Sequence, residues 1–194
     1  MILARTIHVF IKLIPVILAL RKDRILWISQ EGKDIDEKRF QRNAQRILNT
    51  CISLGPVFIK FGQWLSSRAD ILPQPYLEEL SKLQDSVPAV PFEKVRPIIE
   101  EDIGNIEEKF DDLDQNSLSG ASLGQVHLAS KNGQQVIVKV KRPGIEKQVE
   151  KDLKVLMKII PFAMKFVDPN LRFSIIPIMK QFADSIHEEM DYSQ

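Results

Sequence analysis

One dipeptide, Asn132-Gly133, constrains this chain more than any other pair of residues. It lies between two β-prone runs, residues 125–129 and 135–140. Asn and Gly both accept the positive φ angles that a two-residue hairpin turn demands, and that turn matches the natural twist of the strands it joins. An antiparallel hairpin is therefore predicted here. Arg142-Pro143-Gly144 closes the second strand, because proline has no N–H to offer a ladder.

Ahead of the hairpin the periodicity is helical. Phe40, Ala44, Ile47, Leu48 and Cys51 fall on one stripe at a spacing near 3.6 residues, predicting a helix over residues 34–54. Asp34 with Glu37 three residues on is similar to a capping box. Gly55-Pro56 ends that helix and starts the next, which should run to about Leu65. Further helices are predicted near Pro75, with Tyr76, Leu77, Leu80 and Leu83 on the apolar side, and from Phe92 through Ile99. The character changes near Phe110. Beyond the hairpin, Ile145, Val149, Leu153, Leu156 and Ile160 mark a long helix, and Ile178, Phe182, Ile186 and Met190 mark another that runs towards the chain end. The expected fold class is α+β, with three segments: residues 1–33, basic and apolar; 34–108, helical; and 109–194, with a small antiparallel sheet plus helices, ending inside the last helix.

Charge narrows the function classes. The 27 basic and 26 acidic residues leave a net charge of +1, which argues against nucleic-acid binding by bulk charge. One cysteine, Cys51, rules out an internal disulfide or a cysteine-based zinc site, and His8, His127 and His187 show no metal-ligand spacing. Arg5, Lys12, Arg21, Lys22 and Arg24 crowd the first two dozen residues. The uncharged run from Leu13 to Leu20 is too short to span a bilayer, which needs about 20 residues. Residues 1–24 thus admit two readings, a helix packed on its own protein or an amphipathic segment on an anionic membrane surface.

The residues with chemical potential come in order. Small residues dominate Ser119-Gly120-Ala121-Ser122-Leu123-Gly124, and small side chains let backbone N–H groups approach phosphate oxygens closely. Val136-Ile137-Val138 then leads to Lys139, a lysine buried or half-buried in a strand, where it is costly without an anionic partner. A small-residue loop, a hairpin and a lysine on the returning strand follow the order of a protein-kinase N-lobe. On the pattern GxGxxGxV the glycine positions are Ser119, Ala121 and Gly124, followed by Val126, so two of three glycines are missing and an ordinary protein kinase matches poorly. Taken alone, Lys139 also admits a lysine snorkelling from a strand edge, and Lys60 a solvated surface lysine.

The run Leu118-Ser119-Gly120-Ala121-Ser122-Leu123-Gly124-Gln125-Val126-His127 resembles the alanine-rich loop of the UbiB family of atypical kinase-like proteins. Lys60-Phe61-Gly62-Gln63 looks like that family's KxGQ motif, and Ser67-Arg68-Ala69-Asp70 with Leu83-Gln84-Asp85-Ser86 like its continuation. Val138-Lys139-Val140-Lys141-Arg142-Pro143-Gly144 looks like its lysine strand, and Glu189-Met190-Asp191 like its ExD motif. The resemblance implies a helical extension ahead of a kinase-like N-lobe, with the C-lobe absent from this chain. It implies ATP or ADP as ligand, held by Leu118, Ser119, Gly120, Ala121, Ser122, Leu123, Gly124, Gln125, Val126 and Lys139. Lys60, Gly62, Gln63, Glu189 and Asp191 are implied to cover or regulate the cleft, with Lys60 paired to Glu189 or Asp191. No metal ligand is expected in this chain, and the Mg2+ ligands are implied to lie in the missing lobe. Gly120, where the family usually has alanine, should loosen the loop. The implied activity is that of an ATP-dependent kinase or ATPase in ubiquinone or plastoquinone biosynthesis, peripheral on the cytoplasmic side of a membrane, with quinone-biosynthesis proteins as partners and no nucleic acid. The alternative is a truncated, non-catalytic module that senses nucleotide or binds a partner.

Overall fold

The computed structural model describes residues 2–31, 33, 36–85, 87–163, 165 and 169–192. The element order is α1 (Ile2–Ser29), α2 (Glu37–Leu54), α3 (Pro56–Leu65), α4 (Gln74–Ser81), a 3-10 turn (Lys82–Asp85), α5 (Phe92–Ile103), α6 (Ile106–Lys109), β1 (Asp112–Gly120), β2 (Gly124–Lys131), β3 (Gln134–Lys141), α7 (Ile145–Ala163) and α8 (Pro169–Met190). These form two compact units, Met1–Leu83 with Val149–Gln194, and Gln84–Gln148. The chain is α+β, as expected.

In the helical unit, α2 buries the predicted stripe of Phe40, Ala44, Ile47, Leu48 and Cys51. Its cap is Asp36, whose carboxylate accepts the Arg39 N–H at 3.0 Å. Asp34, the expected cap, lies outside the described residues. Gly55 carries the predicted break at φ 100°, with Pro56 at the first helical position where a missing N–H costs nothing. Burial pushes the Cys51 thiol up to about 12.

The N-terminal segment is one 28-residue helix, α1. By length and composition it is apolar enough to cross a membrane, unlike its longest uncharged run. Several of its charges, however, are engaged within the chain. Arg5 grips the buried Asp152 of α7 through two bonds, Nε to Oδ1 at 2.8 Å and Nη2 to Oδ2 at 2.9 Å. The same Nη2 donates to the Leu54 carbonyl at 2.6 Å, satisfying one of the orphan acceptors at the end of α2. Lys12 donates to Ser53 Oγ and Arg24 to the Ile71 carbonyl. Three of the five clustered basic residues are therefore used within the chain, which favours the reading of a helix packed on its own protein.

Asp23 is the second anchor of α1. It is wholly buried and accepts from Tyr76 Oη at 2.7 Å and Asn43 Nδ2 at 2.8 Å, with Arg39 Nη2 2.7 Å from its other oxygen. A carboxylate survives such burial only when donors replace its water. Burial and the bond to Asp23 push the Tyr76 phenol well above its ordinary value.

In the second unit the sheet is antiparallel in the order β1-β2-β3. Asn132 at φ 54° and Gly133 at φ 74° form the predicted turn. The eight β2–β3 pairs run without a slip from Lys131 opposite Gln134 to Gly124 opposite Lys141. β1 and the one-turn α6 lie outside the elements read from sequence. β1 is mostly polar and exposed, and its pairing with β2 shifts register twice, so it carries no clean alternation. At the other end, α8 closes at Met190, whereas periodicity predicts helix up to the last residue. Pro161 sits inside α7 and does not end it.

Replacing Asp23 with Ala strands Arg39 and Tyr76 and should lower unfolding stability by about 3 kcal/mol in urea titration; an unchanged midpoint contradicts the anchor. The raised thiol has a signed consequence. Cys51 stays protonated in the fold while the unfolded chain ionises, so stability contributed below pH 9.0 is lost as pH rises towards about 12. Iodoacetamide at pH 8 should accordingly leave Cys51 unmodified until urea unfolds the chain.

Candidate functional site

Side chains alternate across a strand, so the β2–β3 register sorts the hairpin into two faces. Gln125, His127 and Ala129 lie opposite Val140, Val138 and Val136. Val140 belongs to a cluster with Phe92, Val95 and Ile99 of α5 and with Ile106, and the His127 ring stands edge-on to Phe92 at 5.5 Å. The other face carries Val126 opposite Lys139 and Leu128 opposite Ile137, with Ser119 of β1 on the far side of Val126. Val126 and Leu128 are half-buried, whereas Ile137 is 66% exposed and Lys139 is exposed. Lys139 is thus more open than the sequence suggests. Val136-Ile137-Val138 reads as an apolar run, yet only its even-numbered members turn towards α5.

The predicted loop is a tight turn between strands. Leu118, Ser119 and Gly120 belong to β1, and Gly124, Gln125 and Val126 to β2. Ala121 N–H donates to the Gly124 carbonyl at 2.9 Å, leaving Ser122 and Leu123 as a buried two-residue tip. Gly120 is pinned, not loosened. A Cβ there would sit 2.4 Å from the Val87 carbonyl oxygen and 3.0 Å from the Ala89 nitrogen. Glycine is required because backbone approaches backbone, a need the residue type alone does not reveal.

Two further side chains hold this arrangement. Gln125 is buried on the α5 face. Its Oε1 accepts from Val90 N–H at 2.7 Å and its Nε2 donates to the Val90 carbonyl at 3.0 Å, as a strand neighbour would. The second Nε2 hydrogen points at His127 Nε2, 2.9 Å away. His127 Nδ1 lies 2.8 Å from the Asp114 carbonyl, so the ring bridges Gln125 and the β1 backbone. Gln125, expected to touch nucleotide, is turned away from Lys139 and fully engaged. Arg142 is the residue that sequence reasoning missed. Its N–H donates to Leu123 O at 3.0 Å, its Nε to Ala121 O at 3.0 Å and its Nη2 to Pro88 O at 2.7 Å. The tip and the 87–90 segment are sewn together by one guanidinium. Only its place at the strand exit hints at this.

The helical unit holds the other predicted residues. Lys60 of α3 forms an ion pair with Glu189 of α8, one of its two expected partners, each side chain about a quarter exposed. Phe61 and Trp64 pack against Phe182 beside it, with ring centroids 5.0 and 5.9 Å apart. Gln63 lies one helical turn from Lys60 but donates to the Leu83 carbonyl at 2.9 Å. Gly62 is buried where a Cβ would lie 2.4 Å from Leu83 Cδ1 and 3.2 Å from Cys51 Sγ, so it lets α3 press onto its neighbours. Asp191 follows α8, its N–H bonded to the His187 and Glu188 carbonyls. Arg68 and Asp70 form a two-bond local pair, and the guanidinium lies 4.9 Å over Trp64. Among the described residues, no group of three or more His, Cys, Asp or Glu side chains could hold a metal ion.

Substituting Gly120 with Ala drives a Cβ into backbone and should cost about 1–3 kcal/mol, read as a lowered thermal midpoint with faster amide exchange at the tip. A variant that melts and exchanges like the parent would remove the close-approach argument.

Residues 82–194 match the ABC1 atypical kinase-like domain. The chain is 39% identical over 173 residues to the chloroplastic protein Activity of bc1 complex kinase 8 of Arabidopsis thaliana, covering 86% of this chain and 23% of that protein. It is 35% identical over 175 residues to a probable protein kinase UbiB of Aeromonas salmonicida, covering 89% of this chain and 31% of the relative. The chain therefore spans under a third of these relatives' lengths. A Mycobacterium tuberculosis protein solved with erythromycin aligns at TM-score 0.44 and 28% identity, over 68% of this chain and 34% of its own. With the domain match extending over more than half of its residues, the chain belongs to the ABC1 atypical kinase-like family, which includes UbiB proteins.

Proposed function

We propose that this chain supplies the nucleotide-holding part of a UbiB-type atypical kinase or ATPase acting in ubiquinone or plastoquinone biosynthesis. The observation that carries the reading is the line Ser119–Val126–Lys139 across the three strands, with Leu128 and Ile137 beside it. Val126, Leu128 and Ile137 form an apolar shelf suited to a purine, and Lys139 stands at its edge as a point charge for the α/β-phosphates. The buried tip at Ser122 and Leu123 and its flanking residues Leu118, Ser119, Gly120, Ala121 and Gly124 cover the phosphates. These residues fit the base and phosphates of ATP or ADP. They do not fit Mg2+, so metal binding is assigned to sequence that the longer relatives possess.

In this reading Lys60, Gly62, Gln63, Glu189 and Asp191 form a regulatory element, with the Lys60–Glu189 pair holding α3 to α8. A peripheral place on the cytoplasmic side of a membrane, near quinone-biosynthesis proteins, is supported by the exposed Ile2, Leu3, Ile7 and Ile11 of α1.

Calorimetric titration with Mg-ATP, paired with ATP hydrolysis by a protein carrying the whole family domain, tests the reading. Lys139→Ala should weaken binding at least ten-fold, about 1.4 kcal/mol, and reduce hydrolysis. Equal affinity in parent and variant contradicts the role of Lys139. Binding without hydrolysis would instead favour a nucleotide-sensing or partner-binding module.

A further inference from the structure

The helical unit contains a cavity of about 230 Å³ that no part of the nucleotide reading uses. Its walls come from α1, α2, α3, α4, α7 and α8, and include Val16, Ile17, Phe61, Ile159 and Ile178. An engineered apolar cavity of about 150 Å³ stays dry and takes up benzene. This one is larger and equally poor in partners for water, so its natural filling is an apolar group.

One part of the wall is different. Along α1 the lining runs Leu13, Val16, Ile17, Leu20, Arg21 and Arg24, a stretch of about 16 Å at helical rise. Both arginines thus stand at its C-terminal end, one turn apart on one face. Arg24 already donates to the Ile71 carbonyl at 3.2 Å. Arg21 is half-buried, and its guanidinium makes no hydrogen bond or ion pair with any described residue. A partly desolvated guanidinium at the end of an apolar slot is matched by a carboxylate or phosphate carried on an apolar chain.

We propose that this cavity binds a single-chain anionic amphiphile, its chain between α1, α3, α7 and α8 and its head on Arg21. Its lining residues all belong to the helical unit and Lys139 to the other, and the test does not depend on nucleotide binding.

The test is calorimetric titration of the full chain with decanoate, decyl phosphate, decanol and decyltrimethylammonium, each below its micellar concentration. Decanoate or decyl phosphate should saturate at one per chain and bind at least ten-fold tighter than the cationic amphiphile. The tighter of the two identifies the head group. Arg21→Gln should cost the anions at least ten-fold and leave decanol unchanged. Ile178→Trp should fill the slot and abolish binding by all four. Should that variant fail to fold, Arg21→Gln decides alone, because its side chain is not part of the packed core. Absence of saturation, equal affinity for cation and anion, or an Arg21→Gln variant that binds like the parent overturns the proposal.

Discussion

The two-residue turn at Asn132-Gly133 decides which face of the hairpin carries Lys139. A slip of one residue in β3 would exchange its faces, sending Lys139 into the α5 cluster and Val140 outward. The turn permits no such slip. Positive φ at both residues gives the strands their matching twist, and the ladder then runs in step from Lys131–Gln134 to Gly124–Lys141. Apolar burial agrees with the turn, since Val136, Val138 and Val140 share the face that packs on α5. Local chemistry and tertiary packing point to one register, which is what makes a short sheet specific.

The far end of the hairpin is held by polar groups. Gln125 imitates a strand for Val90, His127 bridges Gln125 and Asp114, and Arg142 ties Ala121, Leu123 and Pro88 into one knot. Each buried donor has an acceptor, so the network rigidifies the tip. Gly120 lets the 87–89 backbone come close enough for these bonds. A loop that composition describes as small and flexible is therefore rigid. Rigidity suits the phosphate cover proposed for it, because little ordering entropy would remain to be lost on binding.

Much of this was legible. Helices α2, α3 and α7, the hairpin turn and the Gly55-Pro56 break follow from periodicity and turn chemistry, and the ordered motifs pointed to the family. What stayed hidden depends on distant partners. No local pattern tells that Arg5 would seek Asp152, that Asp23 would be wholly buried under Tyr76, Asn43 and Arg39, or that Arg142 would reach three carbonyls. The basic cluster of residues 1–24 admits both a packed helix and a membrane-surface segment in the sequence, because sequence shows the sign of a charge but not its direction. β1 escaped notice for a related reason, since an edge strand with mostly polar residues has no buried face to impose alternation.

The central claim is that the two faces of one hairpin differ in purpose, one for packing and one for nucleotide. Methyl-labelled NMR spectra of the chain, recorded during titration with ADP, separate them directly. Val126, Leu128 and Ile137 methyl signals should shift on the Lys139 face, while those of Ala129, Val136, Val138 and Val140 on the α5 face stay in place. Shifts confined to the α5 face, or spread equally over both, would contradict the account.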